Sequence, residues 1–263
     1  MGTHTTPATK RVKSSRIPVT KPGEKPGFIE PTSRRLYTSR TRRGPLLAPS
    51  EKSEGMLGCE SALEGLFVAA TRFDPRVQRT LPQPLVMDVV TGITAPDREQ
   101  LMKRLRAEGY APSDAKLWFV DFELVIVGRL KRVYVEVKPA ERADKVGESM
   151  EERRRTCERI GVDFMLACDT DFPEPLRTNI RIMQRYAGMP ISPDTKARAL
   201  GSLRGGPRTL SDLAAATASG LAELYGLVSN GDLGMDLRAE RLSPRSSVHA
   251  SSPSLRVLLN LPE

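Results

Sequence analysis

The chain has 263 residues and a formal net charge of +9, from 41 Lys and Arg against 32 Asp and Glu. With 28% charged and 39% hydrophobic residues, it has the composition of a globular protein of one or two domains. Three cysteines without CxxC spacing and only two histidines argue against a structural zinc site and against catalytic pairs that need histidine. Because no apolar run approaches the ~20 residues of a membrane span and no secretory signal is evident, we expect a cytoplasmic protein.

The excess of positive charge is confined to residues 1–50. This segment holds 11 Lys and Arg but only two acids, so the rest of the chain, with 41 less 11 bases and 32 less 2 acids, is formally neutral. Seven prolines break any helix in it, and we predict a flexible basic arm that can neutralise DNA phosphates. The arginines proposed for DNA binding are Arg34, Arg35, Arg40, Arg42 and Arg43. A solubilising tail is the alternative.

The remaining chain predicts two folded parts joined by a linker. In residues 51–188, periodicity and turn residues predict a helix over 57–73, a strand over 83–90, a helical insert over about 96–109, a hairpin over 117–138, a helix over 146–159, a strand over 163–168 and a helix over 175–186. This order indicates a mixed α/β domain. After a linker over 189–206, residues 207–263 predict helices over 209–216 and 220–229 and a β-hairpin wing over 231–248, a winged-helix-like C-terminal domain.

The hairpin over 117–138 carries the residues that point to chemistry. If its strands pair symmetrically about a loop at 128–131, alternation puts six apolar side chains on one face, namely Phe122, Leu124, Ile126, Val133, Val135 and Val137. The other face includes Asp121, Glu123, Tyr134, Glu136 and Lys138. In this register Asp121 lies roughly opposite Lys138, with Glu136 one diagonal step away. Two carboxylates and an ammonium group are thereby predicted to lie together.

Two carboxylates and a lysine in this arrangement suit the cleavage of phosphodiester bonds. Converging carboxylate oxygens bind a hard cation such as Mg²⁺, which lowers the pKa of a bound water. Lys138 follows Glu136 by two residues, on the same face, where it can orient that water or stabilise developing charge. The pattern alone is not specific, because charged outer faces of hairpins are common. By spacing alone, Glu64 forms a helix capping box with Ser61.

Five blocks of sequence follow one another in a fixed order over roughly residues 57–170. They are Cys59–Glu64, Phe73–Val77, Gln83-Pro84, Val120–Phe122 and Val135–Pro139. Together they resemble the N-terminal endonuclease domain of TnsA, the cleavage subunit of heteromeric TnsABC-type (Tn seven-like) transposases. The resemblance implies a restriction-endonuclease-like α/β fold with a PD-(D/E)xK site. More loosely, the tail resembles the C-terminal winged-helix domain of the family.

The resemblance also implies roles for four residues and a set of partners. Glu64 matches the helix-borne catalytic acid of the family and Asp121 its metal-binding Asp. Glu136 matches the second strand acid and Lys138 the catalytic Lys, and the three acids would hold Mg²⁺, which Mn²⁺ can replace. The implied activity is hydrolysis at the 5′ ends of transposon DNA during cut-and-paste transposition, in a bacterial, nucleoid-associated complex. A DDE transposase subunit, TnsB, would process the 3′ ends, and an AAA+ ATPase regulator, TnsC, would connect the complex to its target.

The sequence departs from the family pattern at two places. Val120 stands where the family usually has Pro, and the helical insert separates the Gln-Pro strand from the strand that carries Asp121. Two other functions stay open. One is another PD-(D/E)xK nuclease, such as a restriction enzyme or a junction resolvase, which needs no ATPase partner. The other is a non-catalytic DNA-binding or assembly protein of a transposition complex.

Overall fold

The computed structural model of the chain describes residues 46–50, 52–53, 55–251 and 257–262. Most of the predicted basic arm, including the five arginines proposed for DNA binding, lies outside these residues. Only its last five residues, 46–50, are described. Those five form a strand that pairs antiparallel with residues 55–59. No helix in the described ranges is long and apolar enough to cross a bilayer.

Within the described residues the chain forms eight α-helices and twelve strands, which confirms a mixed α/β fold. The first elements are β1 (Leu46–Ser50), β2 (Gly55–Cys59), α1 (Ala62–Phe73), β3 (Val77–Pro82), β4 (Val86–Asp88), β5 (Thr94–Ala95), α2 (Arg98–Ala107), β6 (Leu117–Phe119) and β7 (Phe122–Ile126). The next are β8 (Val133–Val137), α3 (Ala140–Lys145), α4 (Gly147–Arg159), β9 (Asp163–Ala167), α5 (Glu174–Tyr186), α6 (Pro193–Ser202) and β10 (Arg208–Thr209). The last are α7 (Leu210–Thr217), α8 (Leu221–Asn230), β11 (Leu233–Gly234) and β12 (Ser247–Ala250).

A four-stranded mixed sheet lies at the centre, in the order β3, β7, β8, β9. β7 runs antiparallel to both of its neighbours, whereas β8 and β9 are parallel, with α3 and α4 forming the crossover between them. The six apolar residues predicted to share one face of the β7–β8 hairpin are all buried in the main core. Side chains from α1 and α5 belong to the same core, so the predicted faces are confirmed.

The register of the β7–β8 hairpin differs from the predicted one by two residues. Phe122 pairs with Val135, a register that brings Asp121 opposite Glu136 and not opposite Lys138. The predicted pairing was centred on residues 128–131, whereas the observed pairing is centred between Gly128 and Arg129. Since side chains alternate with a period of two, a shift of two residues leaves every side chain on its predicted face.

The second face of the hairpin is buried as well, so it is not a solvated charged surface. Trp118 from β6, Tyr134 from β8 and Cys157 from α4 belong to a second apolar cluster that covers this face. Two acids of the hairpin are nearly enclosed by it, with only 2% of Glu123 and 3% of Glu136 exposed. A buried acid needs a paired cation or hydrogen-bond donors, which makes the partners of these carboxylates informative.

The predicted first strand of the hairpin is interrupted at residues 120–121. β6 pairs with β4, and β4 also pairs with β5, in a second, three-stranded sheet. The predicted helical insert is confirmed as α2, which packs on this second sheet through Leu101 and Leu105. The insert therefore builds a satellite unit with its own small apolar cluster and leaves the pairing of β7 with β8 intact.

Several predicted boundaries are wrong for local reasons. The helix predicted from residue 57 begins at Ala62, because residues 55–59 pair with β1 and Ser61 caps the helix. Strand β3 was not predicted, and the strand predicted over 83–90 is reduced to β4. The segment 189–206, predicted to be a linker, contains α6, which Ser192 caps and Pro193 begins.

The C-terminal part combines α7 and α8 with a small antiparallel sheet in the order β10, β12, β11. The two predicted helices are confirmed, whereas the predicted wing is limited to the short strands β11 and β12. α8 packs on α5, and buried residues from both predicted domains belong to one continuous core.

Residues 257–262, which we term the C-terminal strap, connect the two parts through hydrogen bonds. Asp74, at the end of α1, is completely buried and accepts the backbone N–H groups of Leu258 and Leu259 at 3.0 and 3.1 Å. The same carboxylate pairs with Arg76, whose Nη2 lies 2.7 Å away. Arg129, after β7, donates to the carbonyl oxygen of Pro262. The strap is thus held by residues more than a hundred positions earlier in the chain.

Candidate active site

A cleft of about 760 Å³ opens where β7 begins and β8 ends. The start of α1, strand β6, the end of β8 and helices α3 and α4 contribute to its lining. Glu64, Asp121, Glu136 and Lys138, the four residues predicted to form a catalytic site, all line it. The structure therefore brings the four predicted residues to one cavity.

Asp121 lies at the corner where the chain passes from β6 to β7. Its carbonyl oxygen accepts the backbone N–H of Gln83 at 2.8 Å, and its side-chain Oδ2 accepts the backbone N–H of Val137 at 2.9 Å. Gln83 adopts a φ of 41°, in the left-handed region that non-glycine residues seldom occupy. Such conformations persist only where neighbouring contacts enforce them. The Asp121 carboxylate is thus fixed against the strand that carries Glu136 and Lys138.

Glu136 is buried and has a donor or cation at each oxygen. Oε1 forms an ion pair with the ammonium group of Lys138, as the two-residue spacing on one strand face allows. Oε2 accepts a hydrogen bond from Nε1 of Trp118 at 2.6 Å. Nη1 of Arg153 lies 2.9 Å from the same oxygen. These contacts hold the carboxylate in one position and compensate its burial.

Arg153 and Trp118 are site residues that the sequence did not single out. The guanidinium group of Arg153 lies over the indole ring of Trp118, 5.2 Å from its centroid. Its burial lowers the pKa of the guanidinium group. The sequence did contain a signal that Arg153 faces inward. Arg153 lies three residues after Met150 and four residues before Cys157, and both of these residues are buried on α4. Residues at these spacings share one helix face, so Arg153 points inward while its neighbours in the arginine run do not.

Glu64 both caps α1 and lines the cleft. Its side-chain Oε2 accepts a hydrogen bond from the backbone N–H of Glu60 at 2.8 Å, and its Oε1 accepts one from the hydroxyl group of Ser61. In return, the backbone N–H of Glu64 donates to the hydroxyl oxygen of Ser61 at 3.1 Å. The predicted cap by Ser61 is confirmed, whereas the return bond of the predicted capping box goes to the backbone N–H of Glu60 and not to that of Ser61. Burial, with repulsion from Asp121 adding to it, raises the pKa of Glu64 to about 7. The carboxyl group therefore changes its charge near neutral pH.

The raised pKa of Glu64 predicts a pH-dependent loss of stability. The folded carboxyl group keeps its proton to a higher pH than the unfolded one, so stability falls as the pH rises from about 4.5 to about 7 and is constant above. We expect a loss of about 2 kcal/mol after allowing for partial exposure. Glu64→Gln keeps the cap by Ser61 and cannot titrate. Urea unfolding with EDTA at about pH 5 and about pH 8 compares the free energy of unfolding of the two proteins. An equal pH dependence in both would contradict the assignment to Glu64.

The carboxylates of the cleft are suited by their chemistry to a hard divalent cation. Asp121 and Glu136 offer the oxygen ligands that Mg²⁺ prefers, and a cation would relieve the repulsion between Asp121 and Glu64. As arranged, no three His, Cys, Asp or Glu side chains of the described residues form a group that could hold a metal ion. The carboxylate oxygens of Glu136 are engaged by Lys138, Trp118 and Arg153, and those of Glu64 by its cap. The donors fit magnesium, and three side chains already contact the carboxylate oxygens of Glu136.

Comparison with known proteins adds no assignment. No model of a known protein family matches the chain, and no curated protein matches it either. Its function is therefore inferred from the cleft and the residues that line it.

Proposed function

We propose that the chain is a magnesium-dependent DNA endonuclease with a restriction-endonuclease-like PD-(D/E)xK core. The observation that carries this proposal is the placement of Asp121, Glu136 and Lys138 at one end of a β-hairpin, in a cleft that Glu64 also lines. The ordered blocks that resemble the TnsA family support the narrower proposal. In that proposal, the chain is the subunit of a TnsABC-type transposase that cleaves the 5′ ends of the transposon.

In this proposal Asp121 and Glu136 hold the magnesium ion, with Glu64 as the third acid. A bound magnesium ion supplies a Lewis acid for the scissile phosphate and lowers the pKa of a water ligand. Lys138, beside Glu136, orients the attacking water and stabilises the charge that develops on the phosphate oxygens. Hydrolysis leaves a 3′-hydroxyl and a 5′-phosphate on the two DNA ends.

The C-terminal part supports a winged-helix-like unit that serves assembly more than DNA reading. Its two helices lie beside a three-stranded antiparallel sheet. α8, which follows the turn of this helix pair, contains no Lys or Arg and packs on α5. A helix that reads a DNA groove needs exposed donors and positive charge along its outer face. We therefore propose that this unit contacts protein partners of the transposition complex.

The test of this function is an end-cleavage assay with the complete system. The full chain is combined with the DDE transposase (TnsB) and AAA+ ATPase (TnsC) of its own element, a plasmid carrying the transposon ends, and Mg²⁺. We expect 5′-strand cleavage at the ends only when all three proteins are present. Cleavage of plain plasmid by the isolated chain would instead favour a restriction enzyme or resolvase. Processing of 3′ ends with intact 5′ strands would favour a non-catalytic assembly protein.

A further inference from the structure

Arg153 is the least well accommodated partner of Glu136. Its Nε and Nη1 atoms are buried and have no hydrogen-bond partner among the described residues. Nη1 lies at ion-pair distance from Oε2 of Glu136, but its N–H bonds are not directed at that oxygen. Trp118, by contrast, donates a well-formed hydrogen bond to the same oxygen. Buried donors without acceptors are unfavourable, so Arg153 is held mainly by charge and by the indole ring.

Among the charged residues that line the cleft are the bases Lys138 and Arg153 and the acids Glu64, Asp121 and Glu136. A magnesium ion bound by Asp121 and Glu136 would bring two positive charges next to a buried guanidinium group. Two positive groups that contact the same carboxylate repel each other strongly in a partly desolvated cavity. Metal and guanidinium therefore compete for the same carboxylate. The unpaired donors of Arg153 match the oxygens of a phosphate group, to which guanidinium binds in a bidentate manner.

We propose that Arg153 is a positioning residue that substitutes for the metal, holding Glu136 until magnesium and DNA bind and then moving to a phosphate of the DNA. This inference rests on the proposed nuclease function. It assigns Arg153 a role distinct from that of Lys138. In the metal-free protein Arg153 keeps the buried carboxylate in place, and its departure vacates the oxygen that the metal needs. Free protein therefore binds magnesium weakly, and DNA binding strengthens magnesium binding.

The charge of Arg153 can be removed while its stem stays over Trp118. Arg153→Met keeps an unbranched apolar side chain, and Arg153→Gln gives a second neutral variant with a polar end. We expect both variants to bind Mg²⁺ about tenfold more tightly than the wild type, since one opposing charge is lost. Arg153→Lys retains the charge and is expected to bind as the wild type does. Arg155→Met, on an exposed part of the same helix, is the matched control.

Trp118 provides a direct readout because it is the single tryptophan of the chain. Its N–H is bonded to Glu136 and its ring is covered by Arg153, so its emission reports on both. Full-length protein is titrated with MgCl₂ alone, following emission and, in parallel, heat by calorimetry, with the melting temperature of each variant as a check on folding. In a second titration, the wild-type protein is first mixed with a short DNA duplex in buffer freed of divalent cations. MgCl₂ is then added stepwise.

The outcomes separate this inference from the function on which it rests. Tighter Mg²⁺ binding by Arg153→Met and Arg153→Gln, with Arg153→Lys and Arg155→Met unchanged, supports the proposed exchange of Arg153 for Mg²⁺ at Glu136. So does tighter binding by the wild type when duplex is present. Equal or weaker binding in the neutral variants overturns the exchange but leaves a metal-dependent nuclease intact. If neither the wild type nor any variant binds Mg²⁺, with or without DNA, both the exchange and the proposed metal site are wrong.

Discussion

Asp121→Asn is expected to reduce 5′-end cleavage in the complete assay by about a thousandfold or more, because the proposed magnesium ion would lose a charged ligand. The substitution preserves shape, and the amide oxygen of Asn can still accept the backbone N–H of Val137, which Oδ2 of Asp121 accepts now. We therefore expect the melting temperature and the binding of partner proteins to change little. The measurement is the rate of 5′-strand cleavage under single-turnover conditions.

Glu141→Gln is the matched control for this experiment. Glu141 lines the outer part of the same cleft, is exposed and pairs with Lys145 on its own helix, so it lies outside the group formed by Asp121 and Glu136. Its substitution is expected to leave the rate within about twofold, because exposed ion pairs contribute little. If Asp121→Asn retains wild-type cleavage, the catalytic site lies elsewhere. If both variants lose activity equally, general electrostatics of the cleft and not a specific metal ligand explain the loss.

Asp74→Ala is expected to give the largest loss of stability, about 3 kcal/mol, because it leaves buried donors and one cation without an acceptor. Asp74 is completely buried, pairs with Arg76 and accepts two N–H groups of the C-terminal strap. The loss is measured by urea unfolding at neutral pH. The contacts of Asp74 are structural, and Asp74 does not line the cleft.

Asp97→Ala serves as the control for Asp74→Ala, since it also truncates an acid at a helix end. Asp97 caps α2 on the surface and accepts the backbone N–H of Gln100 at 2.8 Å. Loss of an exposed cap costs about 1 kcal/mol. A loss for Asp74→Ala no larger than that for Asp97→Ala would mean that the strap contributes little to the stability of the fold.

The sequence predicted the faces of the central hairpin because side-chain alternation is a local property of β-strands. The six apolar residues share the main core, and Asp121 and Glu136 lie on the opposite side. The register was not predictable in the same way. It depends on where the chain turns between the two strands, and the observed pairing is centred between Gly128 and Arg129, one residue before the centre assumed from the sequence. A strand whose pairing partner is unknown has no fixed register, although its faces are already determined.

The acids of the site and Lys138 were predicted from the sequence, but Arg153 was not. The spacing of Glu136 and Lys138 places both side chains on one strand face, so their neighbourhood follows from two residues alone. Arg153 comes from a helix that crosses the second face of the sheet, and its contact with Glu136 depends on how α4 packs. Helix packing is a long-range outcome. The helix periodicity could have shown that Arg153 points inward, but not what it would meet there.

The C-terminal strap has a consequence for the order in which the chain reaches its final structure. Leu258 is 184 residues away from Asp74 in sequence, so the ribosome releases the acid long before it releases the N–H groups that satisfy it. During synthesis, Asp74 at the end of α1 therefore cannot yet form its hydrogen bonds with the C-terminal strap. Contacts of such wide separation form late, because a long loop must close first. Completion of the part of the chain that contains the central sheet is thus delayed until the C-terminal part has emerged.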